Sequence, residues 1–179
     1  MVVTVELSED QIKYTRGWVE MKRAEKLRSQ SKDLWYDEHS DSLTVDLMGR
    51  LGEIAAAEAF GLDWTEDLDW TISAGGDSGI DFNAYGLDWD VKTSTLPYLI
   101  FNSPRHFKSR AAVLVQLIGD RTKPDADGTL WVVHGVCSSA TFTTNCVAVQ
   151  YAGRDRVQVP AGSLTSLPDF MEMMERIGV

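Results

Sequence analysis

The run Ala111-Ala-Val-Leu-Val-Gln-Leu-Ile118 constrains this chain more than any other stretch. It is nearly continuous in apolar residues, as expected for a central strand buried on both faces. Shorter β-type runs flank it: Trp70–Ile72, Ile80–Phe82, Leu87–Thr93, Tyr98–Phe101, Leu130–Val136 and Val157–Val159. Helical signals lie mainly before and after them. Ser8-Glu9-Asp10-Gln11 is a capping box, and it opens a helix to about Arg28 with Tyr14, Trp18 and Met21 on one face. Ser40, Asp41 and Ser42 are cap candidates for a second helix, about Thr44 to Phe60, stopped by Gly61. Ser138 to Thr144 suggests a short helix, and the capping box Ser166-Leu-Pro-Asp169 opens a last one ending near Gly178. Helices, then strands, then late helices predict an α/β or α+β sandwich around one mixed sheet. At 179 residues the chain reads as one domain, 1–179: an N-terminal helical extension over 1–40, a core over 41–160 and a C-terminal helix over 161–179.

Composition narrows the functional classes. Hydrophobic residues make up 44% and charged residues 25%, ordinary values for a globular protein. No apolar run approaches the ~20 residues needed to span a bilayer. The start, Met1-Val-Val-Thr-Val-Glu6, lacks the basic and apolar regions of a signal peptide, so a cytoplasmic location without membrane contact is expected. Cys137 and Cys146 suggest reduced thiols rather than a disulfide framework. The net charge of −10 argues against a general affinity for nucleic acid, but its distribution is uneven. Leu51 to Val91 holds ten acids and no Lys or Arg. Gln11 to Lys32 holds seven basic residues against Glu20 and Glu25, and Arg105 to Lys123 holds five against Asp120. A metal site between phosphate-binding surfaces has this pattern, and so does a solvated basic helix beside an acidic loop.

The candidate chemistry lies in Gly79-Ile-Asp81-Phe and Gly86-Leu-Asp-Trp-Asp90-Val-Lys92. Asp90 and Lys92 are two residues apart in one strand and so project from the same face. A turn over Asn83 to Gly86 would make a hairpin and bring Asp81 near Asp90. Two converging carboxylates repel, and burying them is costly unless something compensates. A divalent cation would compensate, and carboxylate oxygens are the ligands that Mg²⁺ selects. A metal so held activates water and polarises a phosphodiester, while Lys92 can orient the water or stabilise developing charge. Glu53 adds a third acid on the second helix. Gly49, Gly52, Ala56 and Ala57 surround it, small residues that let a helix sit close to a sheet and turn a carboxylate inward. Glu58 is five residues on, roughly 140° around the helix, and so is not expected to share the site.

Glu…Gly-Ile-Asp…Asp-Val-Lys resembles the signature of the PD-(D/E)xK nuclease superfamily, which includes many restriction enzymes and Holliday-junction resolvases. The resemblance covers about Gly49 to Gln116, with weaker agreement over Trp131 to Cys137. It implies a restriction endonuclease-like core, a central mixed β-sheet flanked by α-helices, and Mg²⁺- or Mn²⁺-dependent endonucleolytic cleavage of DNA. Asp81 is similar to the family's first acid, Asp90 to its second and Lys92 to its lysine. Glu53 resembles the extra helix acid, so that Glu53, Asp81 and Asp90 would hold metal. Gln116 resembles the glutamine that some branches carry on the following strand. Ile80 replaces the proline of the name, and Asp rather than Glu stands at position 90. The size is similar to stand-alone nucleases of phage or bacteria, many of which act as homodimers.

Other residues carry open readings. Arg105, His106, Lys108 and Arg110 after Pro104, with Thr93 and Ser94 after Lys92, are candidates to contact DNA phosphates. Each can equally be a solvated loop or a strand end. Trp64, Trp70 and Trp89 lie near the acidic centre in sequence, and one could stack on a base. His134, Cys137 and Cys146 lack a fourth zinc ligand and read as a core histidine and two small apolar thiols. The run Ala74-Gly-Gly-Asp-Ser-Gly79 has neither the lysine of a phosphate loop nor GxGxxG spacing. Two rivals to the deoxyribonuclease stand: a catalytically inactive binding module of the same fold, for DNA or a partner protein, and an enzyme acting on RNA or a nucleotide.

Overall fold

The computed structural model describes residues 1–28, 42–72, 79–151 and 153–178. It is a mixed α/β fold in three layers. Five strands form the main sheet: β1 (Val3–Val5), β2 (Phe82–Ala84), β3 (Leu87–Ser94), β5 (Ala111–Ile118) and β6 (Leu130–Ser138), in the order β1-β6-β5-β3-β2. β3 and β5 run parallel and the other pairs antiparallel. A second, antiparallel sheet has β8 (Arg154–Pro160) between β4 (Tyr98–Phe101) and β7 (Val147–Tyr151). The helices are α1 (Glu9–Arg28), α2 (Ser42–Phe60), α3 (Ser139–Asn145) and α4 (Leu167–Ile177). Among the described residues no helix is long and apolar enough to cross a membrane.

Strand alternation builds two cores. Trp89 and Val91 of β3 and Val113, Val115 and Leu117 of β5 belong to a core shared with α1, α2 and α4. Ala112 and Leu114, on the other face, join Leu99, Phe101, Phe107, Cys137, Phe142 and Val159 in a core beneath the second sheet and α3. β5 is therefore covered on both faces, as its apolar run predicts. The crossover from β3 to β5 runs through β4 and a 3₁₀ turn at Pro104–His106 rather than through an α-helix.

The caps form as expected. Ser8 N donates to Gln11 Oε1 at 2.8 Å and Gln11 N to Ser8 Oγ at 3.3 Å, while Ser166 Oγ accepts from Asp169 N at 3.3 Å. Four expectations need correction. Tyr14 and Met21 do not form the buried face of α1; they are 50% and 58% exposed, and Gln11, Thr15, Trp18 and Val19 are buried instead. That face tolerates its polar pair because Gln11 Nε2 donates to Glu58 of α2 and Thr15 Oγ1 donates to Gln11 O. Trp70–Ile72 is not a strand; Trp18 Nε1 donates to Trp70 O, and Arg50 Nη2 donates to Asp69 O just before it. There are two sheets where one is expected, since β4 leaves β3 and pairs with β8. The N-terminal segment also contributes a strand, β1, to the edge of the main sheet against β6. Ser40, Asp41 and the run Ala74–Ser78 lie outside the described residues.

One contact sets how closely α2 sits on the sheet. A Cβ at Gly52 would lie 2.0 Å from Thr93 Oγ1. Alanine there gains about 1 kcal/mol of helix propensity, but only by pushing the helix from the strand. Gly52→Ala is expected to destabilise the protein by about 1–3 kcal/mol net, read as a lower urea midpoint. An equal or higher midpoint would mean that the approach is not tight.

Candidate active site

The chain reverses between β2 and β3 through Tyr85 and Gly86, with φ of 52° and 67°. A two-residue turn with both φ positive matches the twist of the strands it joins. It sets the register Phe82↔Trp89, Asn83↔Asp88 and Ala84↔Leu87. The ladder ends at Phe82↔Trp89, and Asp81 lies one residue before β2. Asp81 N donates to Trp89 O at 2.8 Å, and Val91 N donates to Asp81 Oδ2 at 2.6 Å. Asp81 is thus bound to the β3 backbone at the residues on either side of Asp90.

Lys92 is two residues on, and its ammonium is ion-paired with Asp90 Oδ1. Asp90 is only 3% exposed, whereas the Lys92 side chain is 35% exposed and its Nζ lies 5.1 Å from the centre of the Phe101 ring. The carboxylate is thus held in place and the ammonium reaches toward solvent. In the parallel ladder Asp90, Lys92 and Ser94 pair with Ala112, Leu114 and Gln116. Gln116 therefore continues the face that carries Asp90 and Lys92. It is half-buried, donates from Nε2 to Thr95 O at 3.1 Å, and holds Oε1 2.7 Å from His134 Nε2.

Glu53 is engaged elsewhere. It forms a 2.5 Å ion pair with Arg50 one turn back on α2, the helix that packs on the opposite face. Arg50 is 7% exposed and lies between the rings of Trp18 and Trp70, 4.2 and 4.6 Å from their centres. Among the described residues no three His, Cys, Asp or Glu side chains gather closely enough to hold a metal. The acids that this hairpin brings near one another are Asp81 and Asp90, through the bonds of Asp81 to Trp89 O and Val91 N. Two carboxylates suffice for Mg²⁺, which keeps several waters and takes its remaining ligands from substrate phosphates.

The proposed phosphate contacts divide. Thr93 does not face the acids: its Oγ1 is turned toward Gly52 of α2, buried and without a hydrogen-bond partner. Strand alternation puts it there, between Lys92 and Ser94. Ser94 lies on the acid face, and its Oγ accepts from Leu96 N at 3.0 Å. Arg105, His106, Lys108 and Arg110 are all exposed. Arg110 Nε lies 3.6 Å from Asp88 Oδ2, and the Lys108 stem runs beside Gly79, just before Asp81. The basic segment thus borders the acid pair, while His106 Nδ1 is tied to Ser103 Oγ at 2.8 Å.

The tryptophans do not serve this face. Trp89 is fully buried, and Trp64 and Trp70 pack edge-on with Tyr14 against α1. A shallow groove of about 670 Å³ runs there, lined by Tyr14, Gly17, Trp18, Met21 and Trp64 among others. Burial pushes the Cys137 thiol up to about 11, so it stays protonated at neutral pH.

Arg50 escaped the sequence reading, and His134 was read there only as a core histidine. Arg50 had a signal, an arginine amid apolar helix residues with Glu53 three positions on. His134 had none, because its direction comes from a bulge in β6. Compared with known protein families, curated proteins and solved structures, the chain matches none.

Burial holds the His134 imidazole below its usual pKa. Above the unfolded value near 6.5 both states are neutral there and the group costs nothing. As pH falls below ~6.5 the unfolded chain takes up the proton first, so stability falls until the folded group also protonates. His134→Gln is expected to flatten that part of the stability–pH curve, measured by urea unfolding between pH 5 and 7. Arg50→Met, which strips a buried cation from two rings, a carbonyl and Glu53, is expected to cost about 3–5 kcal/mol by the same assay. An unchanged midpoint would refute the structural role given to Arg50.

Proposed function

We propose that this chain is a divalent-metal-dependent nuclease that hydrolyses DNA phosphodiesters, with Asp81 and Asp90 as metal ligands and Lys92 beside them. The supporting observation is that Asp81 bonds β3 at Trp89 and Val91, on either side of Asp90, and that Lys92, two residues from Asp90 on the same strand, pairs with it. A mixed sheet with helices on one face and a smaller sheet with a short helix on the other accords with a restriction endonuclease-like core, and we read the fold that way. A bound Mg²⁺ or Mn²⁺ would supply an activated water and a Lewis acid for the phosphate. Asp81, held by the Val91 amide, and Asp90, held by Lys92, keep their carboxylates oriented before any ligand arrives. The Lys92 ammonium lies where it can donate to the water or to a phosphoryl oxygen as negative charge grows. Lys108 and Arg110 border the acids and would hold the flanking backbone, and Ser94 has a hydroxyl on the same face. Glu53 supports the sheet-facing helix through Arg50 and is not among the ligands we propose. Free Cys137 and Cys146 suit a reducing, cytoplasmic setting. Pairing of two copies would bring a second basic segment to a duplex.

A binding module of the same fold is favoured by one observation, the net charge of −10. The two readings separate on cleavage. Plasmid, linear, single-stranded and branched DNA, and RNA, are incubated with Mg²⁺ or Mn²⁺ and wild type, Lys92→Ala or Asp90→Asn. Metal-dependent cutting of DNA that falls roughly 100-fold or more in both variants is expected. Cutting of RNA alone would change the substrate. A folded wild type that cuts nothing and gains no thermal stability from either metal would leave the binding module.

A further inference from the structure

His134 sits where β6 carries one residue more than its neighbour. Leu114 pairs with Gly135 and Val115 with Val133, so His134 is skipped in the ladder. Gly135 makes the irregularity possible. Its φ is +157°, and a Cβ there would lie 2.3 Å from Thr165 O. A bulge re-aims a side chain, and here it turns the imidazole onto Gln116.

The chemistry of that contact fixes its orientation. Thr95 O can only accept, so the Gln116 amide nitrogen must face it. Gln116 Oε1 therefore faces His134, and His134 Nε2 carries the proton that bridges them at 2.7 Å. The amide is gripped from both sides. These bonds use one N–H and one lone pair, and an amide has a second of each. Gln116 is registered beside Ser94, two residues beyond Lys92 on the same face, about 7 Å along the strand.

We propose that His134 is a positioning residue: through Gln116 Oε1 it holds the amide so that the second N–H donates to a phosphate oxygen of the DNA next to the one that Lys92 serves. The role rests on the nuclease reading above. Burial, which keeps the imidazole neutral, agrees with a single proton on Nε2. A protein that acts through one amide should show it as non-additivity, because removing the histidine matters only while the glutamine is present.

The test is steady-state cleavage of plasmid DNA with Mg²⁺ by wild type, His134→Leu, His134→Gln, Gln116→Leu and the double variant, each at its measured folded concentration. His134→Leu is expected to lower kcat roughly tenfold with a smaller change in KM. His134→Gln, whose amide nitrogen can stand in for Nε2, should restore most of that loss. The double variant should be no slower than Gln116→Leu. Losses that multiply in the double variant would overturn the role, as would a wild-type kcat in His134→Leu. Should His134→Leu fail to fold, ¹⁵N NMR of the wild-type imidazole decides: a proton on Nε2 that is perturbed by Gln116→Leu supports the role, and a proton on Nδ1 overturns it. A wild type that cuts nothing overturns the nuclease reading and this role together. A wild type that cuts, with a rate indifferent to His134, overturns this role alone.

Discussion

The pairing of β2 with β3 decides both what is buried and where Asp81 meets β3. Phe82 opposite Trp89 delivers two rings to the helical core, where Phe60 meets both and Phe170 meets Trp89. Just before β2, Asp81 bonds β3 at Trp89 and Val91, on either side of Asp90. A slip of one residue would reverse β2, turning Phe82 toward the acids and Asp81 toward the rings. Burial of two large aromatic side chains opposes that slip by several kcal/mol, so the core enforces the geometry of the acids. The Tyr85–Gly86 turn, with both φ positive, fixes the strand ends at the correct length.

The helical face is held by a different device. Arg50 lies between Trp18 of α1 and Trp70 of the loop after α2, donates to Asp69 O and pairs with Glu53. One cation thus ties two helices to a segment without regular structure. A buried guanidinium suits this because it is planar, stacks on rings and donates in several directions at once. Glu53 supplies the countercharge, which accounts for a carboxylate on the inner, close-packed side of α2. The small residues around it serve the close approach of α2, most acutely at Gly52, rather than a route for Glu53 to the acids.

How far the sequence was legible follows from how local each determinant is. β5 could be read because eight consecutive residues report on two buried faces, and α1 and α4 because their caps are local side chain–backbone bonds. Asp81, Asp90 and Lys92 could be placed together because a hairpin and a period of two need only short-range geometry. The second sheet could not, since β4 finds β8 more than fifty residues away and nothing in Tyr98–Phe101 states which partner it takes. Trp70–Ile72 has β-type composition, but side chains from distant helices bond its first carbonyl, Trp70 O, and the preceding Asp69 O. Thr93 was misplaced by treating a run of hydroxyls as one surface, although strand alternation sends it away from Ser94. His134 depended on one unpaired residue, which no periodicity marks.

Stability does not explain why Asp90 and Lys92 stand where they do. Asp90 is as buried as the residues of the adjoining cores, and the ion pair that neutralises it returns little beyond its own desolvation. A pair of well-packed aliphatic residues at these positions would serve the sheet as well or better. Asp81 beside it adds a second carboxylate, leaving one net negative charge among the three side chains. Such an arrangement gains most when a divalent cation is bound, since the cation converts repulsion between the acids into shared attraction. On the proposed reading, a chain at −10 would repel a duplex at long range, so contact would depend on a few local cations such as Lys92, Lys108 and Arg110. Recognition by so few charges would then place the specificity in shape and in the geometry at the phosphate, where oriented groups such as Gln116 would act at short range and be little screened by salt.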